Sequence, residues 1–495
     1  MNSHEGATTS MDDSIDNKLN RESGFRHPTI ESATETRLLQ ISRNLTDQSW
    51  QYDLVVVSLE DLSSTSYRAL SYTWGKATSA NDLRSIRVGN QEFFVRQNLF
   101  DFLASATARE ECGLFFIDAV CINQLDYDER QAQVQAMALV YSRATCVISW
   151  LGTLPQEYDE GCRALSQASE VSCARWSERE WKALKYLSYA PYWTRVWVVQ
   201  EVLLAAHLTI WCGPFTFSPM LLGRTPQVRE AVYTKFGADG RPSVSRSDTS
   251  RLRCPSEAIL AHRMRLVPRM KKDTTPEGCA IGTLEDMVSD LQKPSLSFET
   301  YQSRVSDDLH SIMRKFGRLQ CTDIRDRLYG FIGLLDERSR KKLYPDYKRS
   351  VEYAFYQALK FGLSELCPGY GVSSWGLGDS WISYFCEVRD AFNIGDEIGV
   401  RIFRQVYREL DFKIRMEDVL FQEQWDINYG WRGADAVHYR AFAHTIIDDE
   451  SDDDASSDTN RPLLLRFHNK ERHLLEKISM KIRRRPKVSY SRLLT

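Results

Sequence analysis

The stretch Leu114–Gln133, LFFIDAVCINQLDYDERQAQ, decides how the chain folds. Six of its first nine residues are large or β-branched hydrophobes, the composition of a buried strand. Asp118 interrupts that run, and a Cys-Ile-Asn-Gln turn follows it. Asp126 stands three residues ahead of Glu129, the spacing of a capping box, after which Val134, Met137, Ala138 and Tyr141 fall on one helical face. The unit reads strand, turn, helix. In an open parallel sheet ligands bind beyond the carboxyl ends of the strands, and Asn123 and Gln124 sit at such an end.

Outward from this unit, short apolar runs (VVVSL, YRALSYTW, IRVGNQEFFV, TCVISWL) alternate with helical periodicity from Leu38 to Phe217. The alternation predicts an α/β layered domain with a largely parallel sheet. In ALSYTWGK, Thr73, Trp74 and Gly75 close a strand. Gly75 allows a positive φ or close approach of a ligand to the backbone, and Trp74 is placed to stack on a planar group. In PYWTRVWVVQEVLLAA, Pro191 suits a first helical turn, and Trp193, Trp197 and Glu201 are spaced i, i+4, i+8 on one face. A buried carboxylate needs a partner or a shifted pKa. Arg195 is the nearest cation in sequence, and Gln200 adds an amide beside Glu201.

The organisation expected from these patterns is a disordered polar tail over residues 1–35, the α/β domain over 36–220, and a loop-rich linker over 221–300. A mostly helical region follows over 301–447, with LHSIMRKFGRLQ and VEYAFYQALKFGL as its clearest amphipathic runs. Residues 448–495 hold an acidic break, DDESDDD, and a basic cluster, KISMKIRRRPK.

With 495 residues and 42% hydrophobic content, the chain is long enough for two or three domains around a large core. A formal charge of -3 gives no global reason to expect nucleic-acid or membrane partners. Eleven cysteines without a CxxC pair, and an N-terminus without an apolar core, read as reduced thiols in the cytoplasm. The basic cluster from Lys477 supplies an alternative nuclear address. VWVVQEVLLAAHLTIWC is broken by Gln200, Glu201 and His207 and falls short of a membrane span. Because His207 is the sole histidine between Tyr67 and Phe217, a Ser-His or Cys-His site would need a base from elsewhere, and a zinc site is disfavoured. No dinucleotide fingerprint or P-loop is present. No cofactor or metal is expected.

YRALSYTWG, LFFIDAVCINQLDYDERQAQVQAMALVYSRATCVISWLG and YWTRVWVVQEVLLA resemble, in order and spacing, the three blocks of the fungal heterokaryon-incompatibility (HET) domain. CTDIRDRLYGFIGLLD and YPDYKRSVEYAF resemble the segment that follows it in large fungal HET proteins. The matching positions are Tyr72, Trp74, Gly75, Asp118, Cys121, Asn123, Gln124, Glu129, Gln133, Arg195, Trp197, Gln200 and Glu201. The resemblance implies fungal non-self recognition: a module that triggers cell death when incompatible strains fuse, through protein partners and self-association. The family is distantly similar in turn to TIR domains, which have a flavodoxin-like fold and in many cases cleave NAD with a glutamate, although no TIR motif aligns here residue by residue.

Two functions therefore stay open. In the first, Tyr72, Trp74, Gly75, Asn123, Gln124, Arg195, Trp197 and Gln200 form the binding surface of a signalling module. In the second, the domain is an enzyme with NAD as substrate, and Glu201 or Asp118 stabilises an oxocarbenium-like transition state. Against both stand ordinary structural roles: core packing for Trp74 and Trp197, an inert buried thiol for Cys121, helix capping for Asp126 and Glu129.

Overall fold

The computed structural model describes residues 15–167, 176–223, 255–256, 258–263, 308–366 and 381–410. The chain divides into two compact units, Met1–Ala354 and Phe355–Thr495.

The first unit is built on a nine-stranded sheet of β1 (Glu35–Arg43), β2 (Trp50–Ser58), β3 (Tyr67–Tyr72), β4 (Leu83–Val88), β5 (Gln91–Arg96), β6 (Gly113–Phe116), β7 (Cys146–Trp150), β8 (Leu208–Cys212) and β9 (Phe215–Phe217), in spatial order 5-4-2-1-6-3-7-8-9. The helices that accompany the sheet up to Gly223 are α1 (Ile15–Glu22), α2 (Gln97–Ala108), α3 (Asp118–Cys121), α4 (Tyr127–Arg143), α5 (Asp159–Gln167), α6 (Glu178–Ser188), α7 (Val196–Leu204) and α8 (Pro219–Gly223), and Leu309–Phe316, Asp326–Tyr329 and Glu337–Arg340 follow within the same unit. The α/β class is as read. Parallel pairing is concentrated in the central block of β6, β3, β7 and β8, while β1 with β2, β4 with β5 and β8 with β9 pair antiparallel. The flanks are hairpins because their connections are too short for a crossover; Gly89, at φ 58°, turns β4 into β5.

In chain order, the central strands β3, β6, β7 and β8 take the spatial order 2-1-3-4 of a flavodoxin-like doubly wound sheet. Side chains alternate across it with period two. Phe115, Trp150 and Trp211 face Phe102 of α2, with ring centroids 6.3, 5.9 and 5.9 Å away, while Phe116 turns to the opposite face and meets Tyr141 of α4 at 5.9 Å. α7 packs on that second face, where Ser71 meets Glu201.

Three expectations need correction. β6 ends at Phe116, so Asp118 lies outside the strand and opens the one-turn helix α3. The run of hydrophobes continues past the strand because Val120, Cys121 and Ile122 are also buried. From Ile15 onward, the segment expected to be a disordered tail is ordered on the sheet. Asp16 pairs with Arg96, and Phe25 packs on Phe93 with centroids 4.6 Å apart. Its polar side chains are matched to groups on β5.

The boundary expected near residue 220 also moves. The first unit runs to Ala354 because α7 is apolar almost all round and needs cover beyond the sheet. Residues 308–354 supply that cover. Gln320 donates to Thr194 O at 2.6 Å and accepts from Val196 N at 3.0 Å, Gly333 N donates to Gln200 Oε1 at 3.1 Å, and a Cβ at Gly330 would stand 2.5 Å from Val196. In the second unit the described residues are mostly helical, from Phe355 to the end of Val351–Leu366 and over Trp381–Ala391 and Asp396–Glu409, around Phe355, Phe385, Phe392 and Phe403. Residues 1–14, 269–282 and 448–495, and nearly all of 237–256, lie outside the described residues. Among the described helices none is long and apolar enough to cross a membrane.

Candidate functional site

The exits of β3 and β6, the strand β5, helix α1 and the turn 119–128 line an open cavity of about 730 Å³, within the size range of small-molecule sites. Its walls include Tyr72, Trp74, Asn123 and Gln124, together with Asp16, His27, Arg96 and Lys348. It lies beyond the carboxyl ends of two central strands, where a doubly wound sheet leaves room for a ligand.

The exit of β3 turns at Gly75, whose φ is 79°. An added Cβ there would meet nothing nearer than 3.9 Å, so the backbone conformation, and not space, calls for glycine. Gly75 O accepts from Arg96 Nη1 at 2.8 Å. The same guanidinium stands 5.3 Å from the Trp74 ring centroid and bonds Asp16 through Nε at 2.9 Å and Nη2 at 3.0 Å. Trp74 Nε1 donates to Asp118 Oδ2 at 2.9 Å, and Ala119 N donates to Oδ1 at 2.8 Å. Burial raises the Asp118 pKa, opposed by the charge of Arg195 and by the Trp74 bond. Gln124 Nε2 donates to Asp118 O at 3.1 Å, and Asn123 Oδ1 accepts from Leu125 N at 3.3 Å, so both amides shape the turn they sit on.

Asp126 caps α4 by accepting from Asp128 N and Glu129 N at 3.0 and 3.1 Å. Glu129 does not complete the capping box. Its carboxylate turns inward, accepts from Asn123 N at 2.6 Å and grips Arg37 of β1 bidentately at 2.7 and 3.0 Å. Arg37 also donates to Pro28 O and Cys121 O at 2.6 and 3.0 Å. Gln133 accepts from Thr36 Oγ1 at 2.7 Å. These groups fasten β1, α3 and α4 together beneath the cavity. The Cys121 thiol is pushed up to about 12 by burial, which leaves it unreactive.

Behind the β3 exit, Arg195 Nη1 donates to Tyr72 O. Glu201 is 3% exposed and accepts from Ser71 Oγ; that hydroxyl is 2.6 Å from Tyr192 OH, which is 2.7 Å from Ser149 Oγ. Ser71 and Ser149 are partners in the β3–β7 register, so the network spans the two strands. Burial raises the Glu201 carboxyl to about 7, against the opposing pull of Arg195 and Ser71.

Glu201, Gln200, Trp197, Arg195, Gly75 and Asp118 do not line the cavity. Trp197 Nε1 donates to Asp326 Oδ2 at 3.1 Å, and Trp193 Nε1 donates to Leu187 O at 2.9 Å. The two indoles and the carboxylate thus serve three different partners. Helix α7 begins only at Val196, which leaves Trp193 in the preceding 3-10 turn Pro191–Thr194.

Three contributors went unread. Asn98 donates to Thr73 O at 2.6 Å and accepts from Trp150 Nε1 at 3.0 Å, clamping the exits of β3 and β7. Nothing local marks it. Arg37 carried a weak signal, a cation directly ahead of the apolar pair Leu38-Leu39 of β1. His27, with Nε2 3.1 Å from Val120 O, is lowered to about 4 by burial and by the charge of Arg37. Among the described residues no cluster of three His, Cys, Asp or Glu could hold a metal.

Residues 67–201 match the family model described as Heterokaryon incompatibility protein (HET). The chain carries a HET domain. Among curated proteins it is similar to Heterokaryon incompatibility protein 6, OR allele, of Neurospora crassa, with 33% identity over 116 residues. That alignment covers 21% of this chain and spans only 17% of the relative's length. No solved structure matches significantly. The matched HET segment starts at the first residue of β3 and stops at Glu201; α1, β1 and β2 precede it, although β1 pairs with β6 inside the sheet.

Proposed function

We propose that the chain is a fungal non-self recognition protein whose HET domain triggers cell death in heterokaryon incompatibility, working from the cytoplasm through protein partners. The observation that carries this reading is that the HET-block residues Tyr72, Trp74, Asn123 and Gln124 come together on one ligand-sized cavity. A bound small molecule or peptide group at this rim would be sensed by the loop that Arg96 and Asn98 hold. Induced expression in a fungal host tests it. The parent arrests growth, Asp452→Ala arrests it equally, and Gly75→Glu abolishes arrest, since a residue with a Cβ is strained at the positive φ of this turn beside the cavity. Equal arrest by the Gly75 variant at equal protein level overturns the assignment.

A second reading, NAD cleavage, is favoured by Asp118, a carboxyl raised in pKa by burial and bonded to Trp74 and Ala119 of the cavity wall. Glu201 is sealed behind the wall; Asp118 stands one residue behind it, bonded to the lining residues Trp74 and Ala119, and is the carboxylate that would reach NAD. NAD loss catalysed by the full chain should then fall at least roughly a hundredfold in Asp118→Asn. A parent chain that leaves NAD intact removes this reading.

A further inference from the structure

The strand β5 is the last strand of the sheet, and its outer edge faces residues 15–27. Edge strands present unpaired N–H and C=O groups that invite another chain, and proteins cover them. Here the cover is made of side chains. Asn20 accepts from Phe94 N at 2.6 Å and donates to Phe94 O at 3.0 Å, so its amide takes the place of one rung of a neighbouring strand. Ser23 Oγ donates to Glu92 O at 3.2 Å, one rung along, and Arg26 N donates to Gln91 Oε1 at 2.8 Å. Farther along the edge, Asp16 holds Arg96. No residue of α1 is buried, and Phe25 with its ring contact to Phe93 is the main apolar anchor. The cover is attached chiefly by polar contacts of modest individual strength.

The edge beneath it is complementary to itself. In an antiparallel pairing of two copies of β5 centred on Phe94, Glu92 of each copy falls opposite Arg96 of the other, and Phe93 falls opposite Val95. Residues 92, 94 and 96 share a parity, and the bonds from Asn20 and Ser23 show that 92 and 94 aim their backbone groups outward. All three would therefore form hydrogen-bonded pairs in this register. Once Asp16 has left, Arg96 is available to the Glu92 carboxylate of the second copy. Such a two-fold contact is closed and self-limiting.

We propose that residues 15–27 are a releasable cover over the β5 edge and that the partner of the uncovered edge is β5 of a second copy of this chain, joining two sheets into one. Full-length Asn20→Asp and Asp16→Ala variants test it. The aspartate cannot donate to Phe94 O and repels it, and each lost bond should shift the cover equilibrium by roughly five- to tenfold. Sedimentation should then show a tighter dimer than the parent forms, with faster hydrogen exchange at Phe94 in the dilute monomer. Adding Glu92→Pro, which removes an outward N–H from the exposed edge, should return the variants to the parent's association state. Unchanged exchange at Phe94 would overturn the cover. Release without tighter association, or a dimer indifferent to Glu92→Pro, would overturn the β5 pairing.

Discussion

Glu201 holds a carboxyl in the interior with hydroxyls as its hydrogen-bonding company, and burial lifts it to about 7. Its folded pKa is above the ordinary carboxylate value, so folding favours the protonated form. The stability it contributes is complete below about pH 4.5 and is lost as pH rises through about 7, a swing on the order of 3 kcal/mol. Glu201→Gln keeps the shape and an acceptor for Ser71 while removing the charge. The variant should therefore gain on the parent in thermal denaturation at pH 8 and gain little at pH 5. A parent whose melting temperature falls no more than the variant's over that range would show that the carboxylate is compensated in its charged form. Asp326, raised to about 6 by burial and by Asp323, acts in the same direction in both proteins and cancels from the comparison. His27 has the opposite sign: held down to about 4, it costs stability as pH falls below its ordinary 6.5.

Between elements, the decisive joint is Arg37 of β1 with Glu129 of α4, both nearly inaccessible, at 2% and 7% side-chain exposure. A buried pair that loses one member leaves a charge with no counterion, which typically costs about 3–5 kcal/mol. Arg37→Met should cost that much in urea denaturation. Arg37→Met with Glu129→Met should recover a large part, because two apolar side chains of similar volume avoid the stranded charge. A double variant no more stable than the single one would locate the cost in the bonds from Arg37 to Pro28 O and Cys121 O instead. The capping box read from Asp126 and Glu129 was half legible for this reason. Local spacing specifies a helix start, and Asp126 does cap it, but the glutamate side chain found a stronger partner 92 residues away.

At the scale of the molecule, the HET match ends at Glu201 while the compact unit runs on to Ala354. The difference is the cover over α7, where Gln200 bonds Gly333 N and Trp197 bonds Asp326. A chain of residues 1–354 should melt cooperatively, whereas a chain of residues 1–220 should expose α7, bind a hydrophobic dye and melt earlier or without a sharp transition. Equal melting temperatures for the two, with no dye binding, would refute the cover.

What the sequence by itself determined is what lies within a few residues. Period-two and period-3.6 patterns placed β3, β6, β7 and α4, the glycine after Trp74 marked the turn at positive φ, and Asp126 marked a helix start. These depend on backbone geometry that a short window carries. Tertiary structure alone decided that Ser71 would meet Glu201 across 130 residues, that Asn20 would occupy the edge of β5 across 74, and that Trp197 would face Asp326 across 129. A buried or edge polar group has no partner inscribed beside it. Desolvation obliges it to find one, and which one it finds is set by the faces that packing brings together.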